Sequence, residues 1–219
     1  MGRNKRNSEY EKILTYSAAL ENVKAQSYIS ETMAKLGYDD ALIEEGRNLL
    51  RSTIETYRLN QQEESEKLQS YQVFDELYNE MEDIYRMDRK KAKVILEEEP
   101  GILKQIGIEG IIPLSFAQWL ETAEKFYRKV KNDPELLQRI SILDFSEEHV
   151  DNCIQKLQAL KQARFTYIKE KGEAEDATDE KHEAFALIDT WMSRFFRVAR
   201  IGLEDRPDLL ESLSKRTKN

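Results

Sequence analysis

The chain has 219 residues, of which 40 % are apolar and 35 % are charged, and its formal net charge is −8. This apolar content excludes a disordered chain, and the acidic balance argues against a general nucleic-acid binder, because phosphate binding needs a basic surface. With only 8 Gly and 4 Pro, the chain has few turn residues, which favours long helices over an all-β fold.

The single cysteine, Cys153, excludes an internal disulfide framework and a cysteine-rich zinc site, and it favours a reducing compartment. No apolar run approaches the roughly 20 residues of a membrane span. The basic N-terminus is not followed by the apolar core of a secretory signal. We therefore expect a cytoplasmic protein that binds neither membrane nor nucleic acid.

The first predicted helix runs from about residue 9 to residue 36, where apolar residues recur at three-and-four spacing. Gly37 predicts its end, because glycine readily adopts the left-handed backbone that closes helices. Asp39 or Asp40 predicts the cap of the next helix. No Gly or Pro then occurs between Gly46 and Pro100.

One helix over that whole stretch would be about 80 Å long at 1.5 Å per residue. Polar, charge-dense positions predict hairpin turns instead: Gly172 lies in KEKGEAEDATDE, and Ser65 holds the matching place in QQEESEKL. These turns place a third helix at about 66–98 and a corresponding helix at about 175–204.

One stretch of sequence occurs twice. AKVILEEEPGILKQIG begins at Ala92, and ARIGLEDRPDLLESLS begins 107 residues later at Ala199. In both stretches, a helix ends before a proline, because proline cannot continue it, and a short helix follows. The segment PELLQRIS, which starts at Pro134 after a helix predicted at 115–131, repeats that short helix.

Apolar positions also match at the same offset outside this stretch. They predict two three-helix repeats, 8–107 and 115–214, joined by the linker 108–114. Because the linker is itself apolar, we expect it to be buried and the repeats to pack as one compact unit.

The closing segment FRVARIGLEDRPDLLESL resembles that of uncharacterised bacterial all-helical proteins with tandem, duplicated helical-bundle halves. The resemblance implies a fold and no activity. The predicted fold is all-α: an up-and-down bundle of about six long helices from two repeats, plus short proline-initiated helices. An α-solenoid is the alternative.

Two histidines are present. Asp179-x-x-His182 resembles part of a di-iron bundle site, but the matching residues of the first repeat, Gln72 and Asp75, do not repeat it. We predict no metal site and no cofactor. His149 and Cys153, four residues apart on a helix, share a face, so a Cys–His nucleophile is conceivable.

A small buried thiol is the preferred interpretation of Cys153, because Gly46 stands at the corresponding position of the first repeat. Ser146 predicts the cap of the helix that carries both His149 and Cys153.

Aromatic residues supply the only candidate ligand-binding site. Tyr71, Tyr78 and Tyr85 are spaced by seven residues, and Trp191 and Phe195 lie on the corresponding helix. Their rings can line a pocket whose polar groups are tyrosine hydroxyls. The alternative is that they form ordinary core.

No catalytic residues converge in the sequence. We therefore expect a non-enzymatic interaction or scaffold protein that presents helix faces to a protein partner or to a second copy of itself. A small-molecule-binding bundle and a carboxylate/histidine metal-dependent enzyme are the alternatives.

Overall fold

The structure is a computed structural model that describes residues 8–214, and within that range it contains helices and no strands. The helices are α1 (Glu9–Ala25), α2 (Ser27–Lys35), α3 (Asp40–Ile95), α4 (Pro100–Gln105), α5 (Phe116–Lys131), α6 (Pro134–Ile140), α7 (Glu147–Gly202) and α8 (Pro207–Ser214), and a 3-10 turn (Ser141–Leu143) follows α6. The predicted all-α helical-bundle class is confirmed. No described helix combines the length and the apolar character that crossing a membrane requires.

Several helix ends lie where local chemistry predicts them. Gly37 has φ +88° after α2, the left-handed conformation that suits glycine. Before α3, the Asp39 carboxylate accepts a hydrogen bond from the Leu42 amide at 2.9 Å. Before α7, the Ser146 hydroxyl accepts one from the His149 amide at 3.1 Å. Helices α4, α6 and α8 each begin at a proline, as predicted.

The predicted turns at Ser65 and Gly172 are wrong, because α3 and α7 each continue for 56 residues. The segments around them are rich in Glu, Gln and Lys, which favour helix, and one glycine costs a helix only about 1 kcal/mol. The first predicted helix is also not continuous: Gln26 adopts an extended backbone (φ −117°, ψ 104°) between α1 and α2.

Contacts divide the chain into two compact units. Of the described residues, unit 1 contains 8–65 and 172–214, and unit 2 contains 66–171. The residues predicted as turns, Ser65 and Gly172, are therefore where α3 and α7 pass from one unit to the other. Each unit combines helices from both predicted repeats, and the duplication itself stays a prediction.

Unit 1 packs α1, α2 and α8 against the first part of α3 and the last part of α7. Its buried core includes Leu20, Met33, Leu50, Met192 and Phe195. The Thr53 hydroxyl donates to the Ala184 carbonyl at 3.2 Å, and the Asn60 amide donates to Thr178 at 2.9 Å. These two contacts show that α3 and α7 run antiparallel within unit 1.

Unit 2 packs α4, α5 and α6 against the last part of α3 and the first part of α7. Its core is aromatic, with Tyr85, Trp119, Phe126, Tyr127 and Phe145 all fully buried. The rings meet mainly edge to face, as at Tyr85 and Phe126, whose centroids are 5.8 Å apart. This core surrounds the buried polar side chains described below.

The linker 108–114 is not buried as predicted. Ile108 is buried, but Ile111 is 89 % exposed and Leu114 is 96 % exposed. The buried Arg89 guanidinium donates to the carbonyls of Ile108, at 3.0 Å, and Gly110. The first part of the linker, residues 108–110, is thus bonded to α3, while two apolar side chains of its second part face solvent.

Candidate functional site

Four polar side chains from three helices meet inside unit 2. Asp88 comes from α3, Tyr127 from α5, and His149 and Cys153 from α7. Asp88, Tyr127 and Cys153 are buried, whereas the His149 side chain is 31 % exposed. We call these four residues the polar cluster.

The other three residues of the polar cluster converge on one carboxylate oxygen, Asp88 Oδ2. The Tyr127 hydroxyl donates to it at 2.8 Å, and His149 Nε2 lies 2.7 Å from it. Cys153 Sγ is 4.0 Å from the same oxygen and 3.5 Å from His149 Nε2. A buried carboxylate needs such partners, because an unpaired charge in a protein interior is costly.

Burial also keeps the Cys153 thiol and the Tyr127 hydroxyl of the cluster protonated. Desolvation raises the pKa of the Cys153 thiol to about 11, and the nearby Asp88 carboxylate acts in the same direction. Burial, again with Asp88, raises the pKa of the Tyr127 hydroxyl far above its ordinary value. Both groups are therefore protonated donors at neutral pH.

This geometry does not make a nucleophilic triad. In a Cys–His–Asp triad the acid binds one imidazole nitrogen and the nucleophile binds the other, so that the histidine can relay a proton. Here the same nitrogen, Nε2 of His149, faces both Asp88 and Cys153. A thiol that is 1 % exposed and has a raised pKa is also a poor nucleophile.

The corresponding positions of unit 1 carry no such cluster. At the predicted repeat offset of 107, Tyr127, His149, Cys153 and Asp88 correspond to Leu20, Leu42, Gly46 and Phe195. Leu20 and Phe195 are buried in the unit 1 core, and Leu42 packs against it. At the positions that the predicted repeat makes equivalent, unit 1 thus carries apolar residues and a glycine.

The five predicted ligand-binding aromatics are divided between the two units. Tyr71, Tyr78 and Tyr85 belong to unit 2, whereas Trp191 and Phe195 belong to unit 1. Tyr85 and Phe195 are fully buried, and Tyr71 is 43 % exposed. A ligand-binding role for these residues stays a prediction.

The Asp179-x-x-His182 element, which resembles part of a di-iron site in the sequence, lies outside the polar cluster. Asp179 and His182 are both exposed on α7, and neither belongs to a described group of three donors close enough to hold an ion. The bundle-enzyme alternative requires acids from neighbouring helices around His182, and it stays a prediction.

An open groove of about 960 Å³ lies in unit 2 between α4, α5 and α6. Its floor includes Ile106 and Leu136, and its walls carry both acids and bases, among them Glu121, Lys125 and Arg128. With charges of both signs in the walls, electrostatics does not select a class of ligand for this groove.

Helical spacing in the sequence places His149 and Cys153 on one helix face, but it gives no signal for Asp88 and Tyr127. Those two lie on other helices, and helical spacing cannot show that they meet. The predicted repeat offset of 107 residues carries a signal for the polar cluster, because its four polar residues correspond there to apolar residues or glycine.

The chain matches no protein-family model, no curated protein and no solved structure.

Proposed function

We propose that this is a non-enzymatic interaction protein, and that unit 2 binds a protein partner through the linker 108–114. The observation that carries the proposal is the exposure of Ile111 and Leu114, at 89 % and 96 %, in the linker. Large apolar side chains held in solvent together are typical of binding surfaces.

Two cations of α3 hold the linker in place. Arg89 is 5 % exposed and binds the Ile108 and Gly110 carbonyls. Lys93 Nζ lies 3.4 Å from the carbonyls of both Glu109 and Gly110. Because these contacts already order the backbone of residues 108–110, a partner would not have to bear the entropy cost of ordering that part of the linker.

Burial of these two side chains would contribute substantially to association. Fully burying an Ile or Leu contributes about 1.5–3 kcal/mol, so the pair offers about 3–6 kcal/mol. A micromolar complex needs about 8 kcal/mol.

The charge near the linker indicates the chemistry of the partner. Arg89, Lys90, Lys91 and Lys93 make this end of α3 basic in a chain whose net charge is −8. Lys90 is exposed one helical turn before Val94. The fitting partner is a protein segment with apolar side chains flanked by carboxylates. This role is consistent with a cytoplasmic protein that has neither a nucleic-acid nor a membrane partner.

The proposal is tested by photo-crosslinking in the cells that make the protein. A photoreactive amino acid at Ile111 is expected to yield a discrete protein adduct. The same amino acid at Leu187, 59 % exposed in unit 1, should not yield it. Lys90→Glu should weaken the adduct, because it removes the charge complementarity.

Three outcomes would contradict this partner. Equal labelling from the Ile111 and Leu187 positions would mean that the linker is not a preferred surface. An adduct with a second copy of the chain would indicate self-association, and an adduct with lipid would indicate a membrane surface. The double variant Ile111→Asp, Leu114→Asp should remain folded, because both side chains are exposed, and should lose the partner.

A further inference from the structure

We propose that Asp88, His149 and Cys153 bind a divalent transition-metal ion, with Zn²⁺ as the best match. One donor atom from each residue lies within 4.8 Å of the other two. This site lies inside unit 2 and is independent of the proposed interaction through the linker.

The distances between the donor atoms are close to those of a tetrahedral zinc site. Bond lengths of about 2.3 Å to sulfur and about 2.0–2.2 Å to nitrogen or oxygen put neighbouring ligand atoms about 3.3–3.6 Å apart. The observed separations are 3.5 Å between Cys153 Sγ and His149 Nε2, 4.0 Å between Sγ and Asp88 Oδ2, and 2.7 Å between Nε2 and Oδ2. To accommodate the ion, Nε2 and Oδ2 would have to move apart by about 0.6 Å, and Sγ and Oδ2 would have to approach each other by about 0.5 Å.

The types of donor select the class of metal. Ca²⁺ and Mg²⁺ prefer oxygen ligands only, so the Cys153 sulfur disfavours them. A thiolate, an imidazole and a carboxylate together suit Zn²⁺ and its neighbours. Metal binding would displace the thiol proton of Cys153 to solvent, because the thiolate is the ligand.

The surroundings of the three donors also fit a metal site. The Tyr127 hydroxyl donates to Asp88 Oδ2 at 2.8 Å, and such a contact orients a ligating carboxylate. His149, with a side chain that is 31 % exposed, links the buried donors to solvent and gives the ion a route of entry. Three protein ligands would leave a fourth position for water.

A purely structural role explains these residues less well. If Asp88 only needed hydrogen-bond partners, Tyr127 and His149 already supply two at 2.7–2.8 Å, and Cys153 at 4.0 Å adds little. At the predicted repeat offset the same helix positions in unit 1 hold Leu20, Leu42, Gly46 and Phe195. The predicted repeat thus places apolar residues and a glycine where unit 2 carries the polar cluster.

The test is titration of the full chain, purified in the presence of a chelator, with Co²⁺ followed by Zn²⁺. One equivalent of Co²⁺ should produce a thiolate-to-cobalt charge-transfer band and the intense visible bands of tetrahedral cobalt, and Zn²⁺ should abolish both. Cys153→Ala should remove the charge-transfer band. His149→Gln and Asp88→Asn should each weaken Zn²⁺ binding at least about 100-fold, since loss of outer partners alone costs 10–100-fold.

His182→Gln is the matched control, because His182 is exposed on the same helix and should leave binding unchanged. Tryptophan fluorescence checks that each variant is folded. If Asp88→Asn does not fold, the partly exposed His149 still supplies a decisive variant. The proposal is overturned by absence of stoichiometric binding, by a charge-transfer band that survives Cys153→Ala, or by equal Zn²⁺ affinity in His149→Gln and His182→Gln.

Discussion

At position 46, the absence of a side chain allows α3 to approach α7 within unit 1. A Cβ added to Gly46 would lie 2.4–2.7 Å from three ring carbons of Trp191. The Trp191 ring cannot easily move away, because Tyr38 and Phe195 each pack against it at a centroid distance of 5.6 Å. The close contact explains why glycine is required here.

We expect Gly46→Ala to lower the free energy of unfolding by about 1–3 kcal/mol, the usual cost of overpacking a core. Trp119 and Trp191 are the two tryptophans of the chain, and only Trp191 belongs to unit 1. Urea unfolding followed by fluorescence in a Trp119→Phe background therefore reports on unit 1. Gly101→Ala, with no atoms within 4 Å of the added Cβ, is the control. An unchanged midpoint in Gly46→Ala would show that the contact is absent.

Cys153 should be unreactive in the native, metal-free protein. Its 1 % exposure blocks the approach of reagents, and burial raises the pKa of the thiol to about 11, which leaves little thiolate near neutral pH. Iodoacetamide at pH 8 should alkylate native protein at least about 100-fold more slowly than urea-unfolded protein, as measured by intact mass. Comparable rates would mean that the thiol is accessible.

At the scale of elements, helix ends were predictable from short stretches of sequence, but helix continuity was not. Gly37, Asp39 and Ser146 act within a turn of the helix ends that they define, so local chemistry suffices. Ser65 and Gly172 were interpreted as turns because their neighbours are polar. Polarity shows exposure, and an exposed segment rich in Glu and Lys can remain helical.

Alanine substitutions at Gly37 and Gly172 test whether each glycine lies at a turn or within a helix. Neither Gly37 nor Gly172 has an atom within 4 Å of an added Cβ, but Gly37 has φ +88° and Gly172 lies within α7. We expect Gly172→Ala to stabilise the protein by about 0.5–1 kcal/mol, because alanine favours helix. Gly37→Ala should destabilise it by about 1–2 kcal/mol, because alanine disfavours the left-handed conformation. Urea unfolding of both variants measures the difference, and destabilisation by Gly172→Ala would support a turn at that position.

Only two of the four residues of the polar cluster could be predicted to lie together from the sequence, because helical spacing acts within one helix. His149 and Cys153 share a face of α7, and their spacing of four residues shows this directly. Asp88 and Tyr127 reach them from α3 and α5, through packing that periodicity does not encode. Once the repeat offset is recognised, the positions that are polar in one predicted repeat and apolar in the other indicate the cluster.

At the scale of the whole molecule, each unit depends on segments that are far apart in the chain. Unit 1 combines residues 8–65 with 172–214, and unit 2 spans 66–171. A cut within the exposed linker 108–114 would therefore leave each unit built from two pieces. The sequence predicts two repeats, 8–107 and 115–214, packed as one compact unit, whereas the contacts assign parts of both repeats to each of two units.

We expect a chain that is cut in the linker to remain one particle. A protease site placed between Ile111 and Leu114 would be accessible, because both residues are exposed. The N-terminal piece supplies Leu50 to the unit 1 core and Tyr85 to the unit 2 core, while the C-terminal piece supplies Phe195 and Tyr127 to the same two cores. Separating the pieces would expose both cores, so the hydrophobic effect opposes it.

Size-exclusion chromatography of the cut protein should therefore show both pieces in one peak at the position of the intact chain. Adding urea should separate them, since neither piece contains a complete core. The uncut protein and a variant without the protease site serve as controls. Elution of two folded, separate pieces under native conditions would mean that each predicted repeat folds alone, and it would contradict the division of the chain into these two units.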